Sequence, residues 1–255
     1  MLMSRSSRRP GNRRNGDQDN QDLWNVLDAK TYSIAEAARL SGLHPRRTAR
    51  WLMGYTYEYP VQEGWRQGEQ APVVGRVGTV GTTYASFLDL IDLLFVRNFL
   101  EHGLSLQKVR LALNEATALL GTKHFARQTF FTDGRNIYLQ LIQLGPEKAG
   151  GILQLMTGGQ WTIAPIIEEL AAKIDFHEAT GYARRWFPLG RKRPVVVDPF
   201  ISFGRPSVIN RGVATENIYD FFLGEQGQVD TVSRWMGLES TEVLAAVEFE
   251  QKMAA

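Results

Sequence analysis

The chain has 255 residues, 44% hydrophobic and 22% charged, with a formal net charge of +2 and no cysteine. That length carries one large domain or two to three small ones with a real core, and the missing thiols exclude a disulfide framework and a thiolate metal site. No apolar run reaches the length of a membrane span and the start lacks the apolar core of a signal peptide, so a membrane partner is excluded and the cytoplasm is the expected location.

The charge is uneven along the chain. Residues 1–55 hold ten Arg/Lys against five Asp/Glu, residues 184–213 seven against one, and residues 215–255 two against eight. Such asymmetry implies different partners for different segments, although solvated faces that happen to cluster would read the same way.

In chain order, residues 1–22 lack a hydrophobic pattern and are expected to be a mobile basic tail. Residues 23–55 read as helices: LWNVLDAK, SIAEAARLSG and PRRTARWLMGY. Residues 56–85, rich in Gly, Tyr, Val and Thr, read as short strands or a wing-like hairpin plus loop. Helix returns over 86–120. Ser86 caps it with Asp89 three residues on, and Leu88, Ile91, Leu94, Phe95 and Phe99 form its apolar side. Gly103 ends that helix and Ser105 starts the next. Residues 124–150 are strand-like, with Asp133-Gly134 as a hairpin signal. A helix is expected over 162–180 with Ile166, Ile167, Leu170 and Ile174 inward. The basic link RRWFPLGRKRP leads to a strand, VVV, and a Gly/Pro loop. Three short helices close the chain, about Thr215–Leu223, Val229–Met236 and Ser240–Lys252. Their expected core is Ile218, Phe221, Phe222, Val229, Val232, Trp235, Met236, Leu238, Val243, Leu244 and Val247.

The stretch IAEAARLSGLHPRRTARWL, from Ile34 to Leu52, has the mechanics of a helix-turn-helix. Ala38 is small enough for a second helix to cross close by. Gly42 suits a left-handed residue just past a helix end, and Pro45 suits the first position of the next helix. Trp51 and Leu52 then face Leu40. The second helix carries Arg46, Arg47 and Arg50 with Thr48 beside them, and arginine grips guanine edges or phosphate bidentately. An ordinary helical hairpin with solvated arginines is the plainer alternative. The basic tail adds weight to nucleic acid, because an Arg-rich arm follows phosphates.

YSIAEAARLSGLHPRRTARWLMGY resembles the N-terminal helix-turn-helix of MerR-type regulators, and SFLDLIDLLFVRNFLEHGLSLQKVRLAL resembles the second helical hairpin of that winged fold. The resemblance implies double-stranded operator DNA as partner and a wing near 73–82. It assigns DNA contact to Ser33, Arg46, Arg47, Thr48, Arg50 and Arg76. The segment from Val195 to Glu250 resembles the small bacterial family known as domain of unknown function 433, through Asp198-Pro199, Gly204-Arg205-Pro206 and Leu238 to Val243. Together the two are similar to VapB-type antitoxins, which implies a PIN-domain ribonuclease toxin as partner; no toxin-binding residue can be named.

Enzyme chemistry finds little support. His44, His102, His124 and His177 lack ligand-spaced neighbours and read as surface or capping residues, so no metal site is assigned. GRVGTVG at 75–81 is not a dinucleotide fingerprint, no nucleophile elbow appears, and the carboxylates are scattered. No catalytic residue and no cofactor is expected. Tyr55, Tyr57, Tyr59 and Trp65 could stack on single-stranded bases, but such residues more often pack a sheet or an interface.

The expected architecture is mainly α with small β elements: a MerR-like winged helix-turn-helix followed by a C-terminal three-helix, helix-turn-helix-like domain. The segments are a tail at 1–22, a DNA-binding domain at 23–122, a hairpin-plus-helix connector at 123–190 and the C-terminal module at 191–255. The expected function is a homodimeric DNA-binding antitoxin that represses its own operon. A MerR-like regulator without a toxin, or a protein-interaction scaffold, are the alternatives.

Overall fold

The computed structural model describes residues 13–74, 83–120, 124 and 169–254. Among them the chain is mainly helical with small two-stranded antiparallel sheets. Helix α1 spans Arg13–Leu27, so helix begins inside the segment expected to be an irregular tail. Strand β1 (Tyr32–Ser33) leads into α2 (Ile34–Ser41) and α3 (Pro45–Met53). Strands β2 (Tyr55–Val61) and β3 (Gly64–Gln70) form a hairpin, and β4 (Tyr84–Ala85) returns to pair with β1. Helices α4 (Phe87–Glu101) and α5 (Leu106–Leu120) follow.

Helix α4 is the hub. Ser86 and Asp89 close the expected capping box at its start. The sequence gives α4 one apolar side, but every residue from Phe87 to Val96 is buried, because α2, α3 and α5 all pack on it. A helix buried all round needs partners for its polar groups. Asp89 accepts from the Ser86 N–H at 2.9 Å and from Lys30 Nζ at 3.1 Å, and Asp92 lies 2.8 Å from His124 Nδ1. His124 is therefore a core residue, 1% exposed, and not the surface residue expected.

The expected helix over 162–180 ends by Ala171. Ile174 opens strand β5 (Ile174–Phe176), which pairs with β6 (Ala183–Trp186). Leu170 and Ile174 are buried as expected, while Ile166, Ile167 and the hairpin at Asp133-Gly134 lie outside the described residues. Strands β7 (Val195–Val196) and β8 (Ser207–Val208) frame a loop with one 3-10 turn, Ser202–Gly204.

Helices α6 (Thr215–Gly224), α7 (Val229–Met236) and α8 (Ser240–Ala254) fall close to the expected boundaries. Their small core contains Ile218, Val232, Leu238, Val243 and Val247, with Phe221, Phe222, Val229 and Met236 packed against it. Trp235 and Leu244 do not belong to it: they are 75% and 47% exposed. Val229, Val232 and Met236 already supply the i, i+3, i+7 inward stripe of α7, and Trp235 stands off it.

Helix α8 has two buried faces. Val243, Ala246 and Val247 serve the three-helix core, and Ala245 and Phe249 enter the larger core built around α4. Glu250 on α8 accepts from Arg39 Nη1 at 2.9 Å and from Thr215 Oγ1 at 2.5 Å. Among the described residues no helix is long and apolar enough to cross a membrane.

Candidate nucleic-acid interface

The turn between α2 and α3 is built as the sequence requires. The Ser33 hydroxyl accepts from the Glu36 N–H at 3.2 Å, and the Glu36 carboxylate accepts from the Ser33 N–H at 2.8 Å. Gly42 is left-handed at φ 64°, and the Leu43 N–H reaches back to the Ala38 carbonyl at 2.9 Å. These are the bonds of a Schellman stop. Arg97 of α4 donates to the Ser41 carbonyl at 2.8 Å and fastens the turn to the hub. His44 caps α3, its Nδ1 accepting from the Arg46 N–H at 3.2 Å, and Pro45 fills the first helical position.

Arg46, Arg47 and Arg50 are all exposed. Arg46 and Arg50 stand at i, i+4, and Arg47 and Arg50 at i, i+3, so they share one side of α3. Two rings hold their directions: the Arg47 guanidinium lies 6.0 Å from the Trp51 ring and that of Arg50 4.8 Å from the Tyr55 ring. A guanidinium stacked on a ring keeps its N–H edge available for hydrogen bonds.

Thr48 does not join them. It is fully buried, its hydroxyl 3.4 Å from the His44 carbonyl oxygen. With Trp51 and Leu52 it forms the i, i+3, i+4 stripe that packs inward, a pattern already visible in the sequence. Ser33 is half-buried and its hydroxyl and N–H are both engaged in the capping box, so its role is to start α2. Arg76 and residues 75–82 of the expected wing lie outside the described residues. Val73 and Val74 are buried and donate to the Trp51 carbonyl at 2.8 and 3.1 Å, so they tie the chain back to α3 and do not project.

The projecting element is the β2–β3 hairpin, whose sidedness the sequence reading missed. Tyr55, Tyr57 and Tyr59 pair with Gln70, Gly68 and Arg66, all on one face. The other face carries Glu58 and Glu69. The tyrosine rings follow one another at 6.0 Å centroid spacing, and Arg50 joins the row at Tyr55. Arginines of α3 and the tyrosine face thus form one continuous acid-poor strip. Alternation in YTYEYPV was the signal that could have revealed it.

The basic link at 184–193 is largely engaged within the chain. Arg185 pairs with Asp198 at 3.2 Å, Arg191 with Asp175, and Arg193 with Glu248. The acidic C-terminal helix is thus partly answered by the chain's own cations.

A cleft of about 230 Å3 opens beside this head, lined by Leu40, Leu94, Arg97, Lys173, Trp186 and Met253 among others. The indole Nε1 of Trp186 is buried without an acceptor among the described residues. The described residues contain no cluster of metal-ligating side chains.

No family model and no curated protein matches the chain. The fold is similar to that of the crystal structure of Rv2018 from Mycobacterium tuberculosis, with a TM-score of 0.62 and 19% identity, over 87% of this chain and 99% of that one. At that identity the likeness is one of fold.

Proposed function

We propose that the chain is a DNA-binding antitoxin that represses its own operon as a dimer and neutralises a PIN-domain ribonuclease by direct binding. The α2–α3 pair is the helix-turn-helix of a winged domain, α3 enters the major groove, and the β2–β3 hairpin is the wing. The observation that carries the DNA half is the exposed Arg46, Arg47 and Arg50 row, continued by Arg50 over Tyr55 into the tyrosine face of the hairpin. Dimerisation follows from palindromic half-site logic. The C-terminal module resembles the second half of such antitoxins, and its α7–Gly237–α8 turn repeats the α2–Gly42–α3 turn: the helix before each turn has eight residues and each glycine is left-handed, at φ 65° and 64°. Helix α8 is buried where a groove-reading helix would be exposed, and that module is acidic, which directs it to protein and not DNA.

Co-expression tests the toxin half. On this reading a PIN-domain ribonuclease encoded beside this chain is expected to arrest growth when expressed alone, and co-expression of this chain is expected to restore it. Arrest that persists with both proteins present overturns the toxin half and leaves the DNA half standing.

A second reading, an effector-responsive regulator, is favoured by one observation. Arg97 lines the cleft and also holds the turn before α3 through the Ser41 carbonyl. A small molecule that shifts the melting temperature and the DNA affinity together would select that reading.

A further inference from the structure

The β2–β3 hairpin stands outside both hydrophobic cores. Both of its faces meet solvent: every residue from Tyr55 to Gln70 is exposed or half-buried. A two-stranded hairpin adds little stability by itself, so the side chains it displays work outward. Tyr55, Tyr57 and Tyr59 share their face with Gln70, Gly68 and Arg66, and the three rings are 38%, 45% and 40% exposed.

Gly68 shows how the rings lie. Glycine weakens a strand interior, and the φ of Gly68 is not positive, so the backbone does not require glycine there. Space does. A Cβ at Gly68 would stand 2.6 Å from Cζ of Tyr57 and 2.9 Å from its Oη. The Tyr57 ring therefore lies across β3, with its other side open to solvent. Tyr59 follows at 6.0 Å between centroids. Tyr55 already carries the Arg50 guanidinium at 4.8 Å, so Tyr57 and Tyr59 are the open platforms.

Cations bracket the platforms. Arg66 is exposed and pairs with Tyr59 at one end. At the other, Arg50 covers Tyr55, and Arg110 donates to the Ala71 carbonyl just past Gln70. Of the hairpin's carboxylates, Glu58 and Glu69 occupy the opposite face and Glu63 sits in the turn at the tip. A duplex offers a hairpin phosphates and base edges, so flat ring surface gains nothing from it. Unpaired bases expose their faces, and they stack on aromatic side chains along a positively charged track. Protein partners bury tyrosines too, but cations at both ends with no carboxylate between them match a polyanion.

We infer that the tyrosine face of the hairpin binds single-stranded nucleic acid, stacking neighbouring bases on Tyr57 and Tyr59 while Arg66 and Arg50 hold the backbone. The inference goes beyond duplex recognition by α3 and does not rest on it. Stacking is tolerant of sequence, so the ligand class is an unpaired strand, DNA or RNA, and not a particular site.

The experiment is fluorescence anisotropy of the full chain with labelled oligo(dT) and oligo(U), which separate DNA from RNA as the source, and with duplex operator in parallel. Wild type binds at least one homopolymer. Tyr57→Leu/Tyr59→Leu weakens that binding about tenfold or more, as loss of stacked bases requires. Tyr57→Phe/Tyr59→Phe keeps the rings and stays within about twofold of wild type on the homopolymer, while the lost hydroxyls weaken the duplex. Arg66→Ala makes the single-strand salt slope shallower by about 0.7, the value of one phosphate contact. Because the hairpin lies outside the cores, these variants keep the wild-type melting temperature. A leucine pair that binds the homopolymer like wild type overturns the platform. A phenylalanine pair that loses as much as the leucine pair overturns stacking in favour of the hydroxyls. Wild type that binds the operator but neither homopolymer overturns this inference alone and leaves the tyrosine face to the duplex or a protein. Homopolymer bound with no preference for the operator overturns the operator-binding reading and leaves this one standing.

Discussion

Arg39 on α2 and Glu250 on the last helix meet at 2.9 Å, 211 residues apart in sequence. Through that pair the C-terminal module is fastened directly to α2, the helix that precedes the arginine-bearing α3. Glu250 is 7% exposed and also accepts from Thr215, so it joins three elements. Glu250→Ala removes both bonds and leaves the half-exposed Arg39 to water. The expected cost is about 2 kcal/mol, below that of a fully buried pair because Arg39 can rehydrate. Chemical denaturation measures it; a loss under about 0.5 kcal/mol, the range of ordinary surface changes, would show the junction to be loose.

A glycine comparison isolates the turn. Gly42→Ala places a Cβ at positive φ and 2.2 Å from Arg97 Nη1, so the guanidinium must leave the Ser41 carbonyl. Gly103→Ala also sits at positive φ, 85°, but meets nothing within 4 Å. Strain alone costs about 1 kcal/mol, and the lost Arg97 bond about 1 kcal/mol more. Gly42→Ala is therefore expected to destabilise about twice as much as Gly103→Ala in urea unfolding. Equal losses would mean that Arg97 does not hold the turn.

The buried His124 gives stability a pH dependence. Burial opposes its charge, but Asp92 at 2.8 Å, with Asp89 and Asp28 beyond it, outweighs that and holds its pKa above the ordinary histidine value. Among the described residues Lys30 pairs with both Asp28 and Asp89, and the Trp24 ring lies 5.8 Å from the imidazole. A raised folded pKa means that its contribution is fully present below the unfolded value of about 6.5 and is lost as pH rises through the folded value. The melting temperature is expected to fall as pH rises above about 6.5, and His124→Asn to flatten that slope. A wild-type and variant slope that coincide would remove His124 from the account.

The hairpin offers a test by sides. Tyr57→Ala with Tyr59→Ala strips the acid-poor face, while Glu58→Gln with Glu69→Gln neutralises the other. Loss of one good hydrogen bond to phosphate is about 1.5 kcal/mol, or about tenfold in affinity. The tyrosine pair is expected to weaken operator binding by that factor, and the glutamate pair to leave it equal or slightly tighter. The reverse ranking would turn the hairpin around.

Local chemistry was legible in the sequence where it sets its own geometry. Gly42 and Pro45 mark the turn between α2 and α3, and Ser86 with Asp89 starts α4, whereas the Ser33–Glu36 box that opens α2 went unread and Ser33 was given to DNA. What surrounds an element was less legible. Periodicity gave α4 an apolar side but could not foresee that three helices bury it from every direction, or that Asp92 there would need His124. Trp235 was counted as core because it is apolar, although the phase of α7 turns it outward. Thr48 was placed beside its arginine neighbours by sequence proximity, whereas its phase with Trp51 and Leu52 puts it inside. The row from Arg50 to Tyr59 was hidden because it joins a helix to a strand, and no single period covers both.

The most direct test of the central claim is fluorescence anisotropy with the chain's own upstream DNA and a scrambled control, across a salt series, for wild type and Arg46→Ala/Arg47→Ala. The account predicts tighter binding to the native sequence. It also predicts weaker binding by the variant, with a salt slope shallower by roughly 0.9 for each phosphate contact removed. Native and scrambled DNA bound alike, or a variant indistinguishable from wild type, would contradict it and make the α2–α3 pair a scaffold.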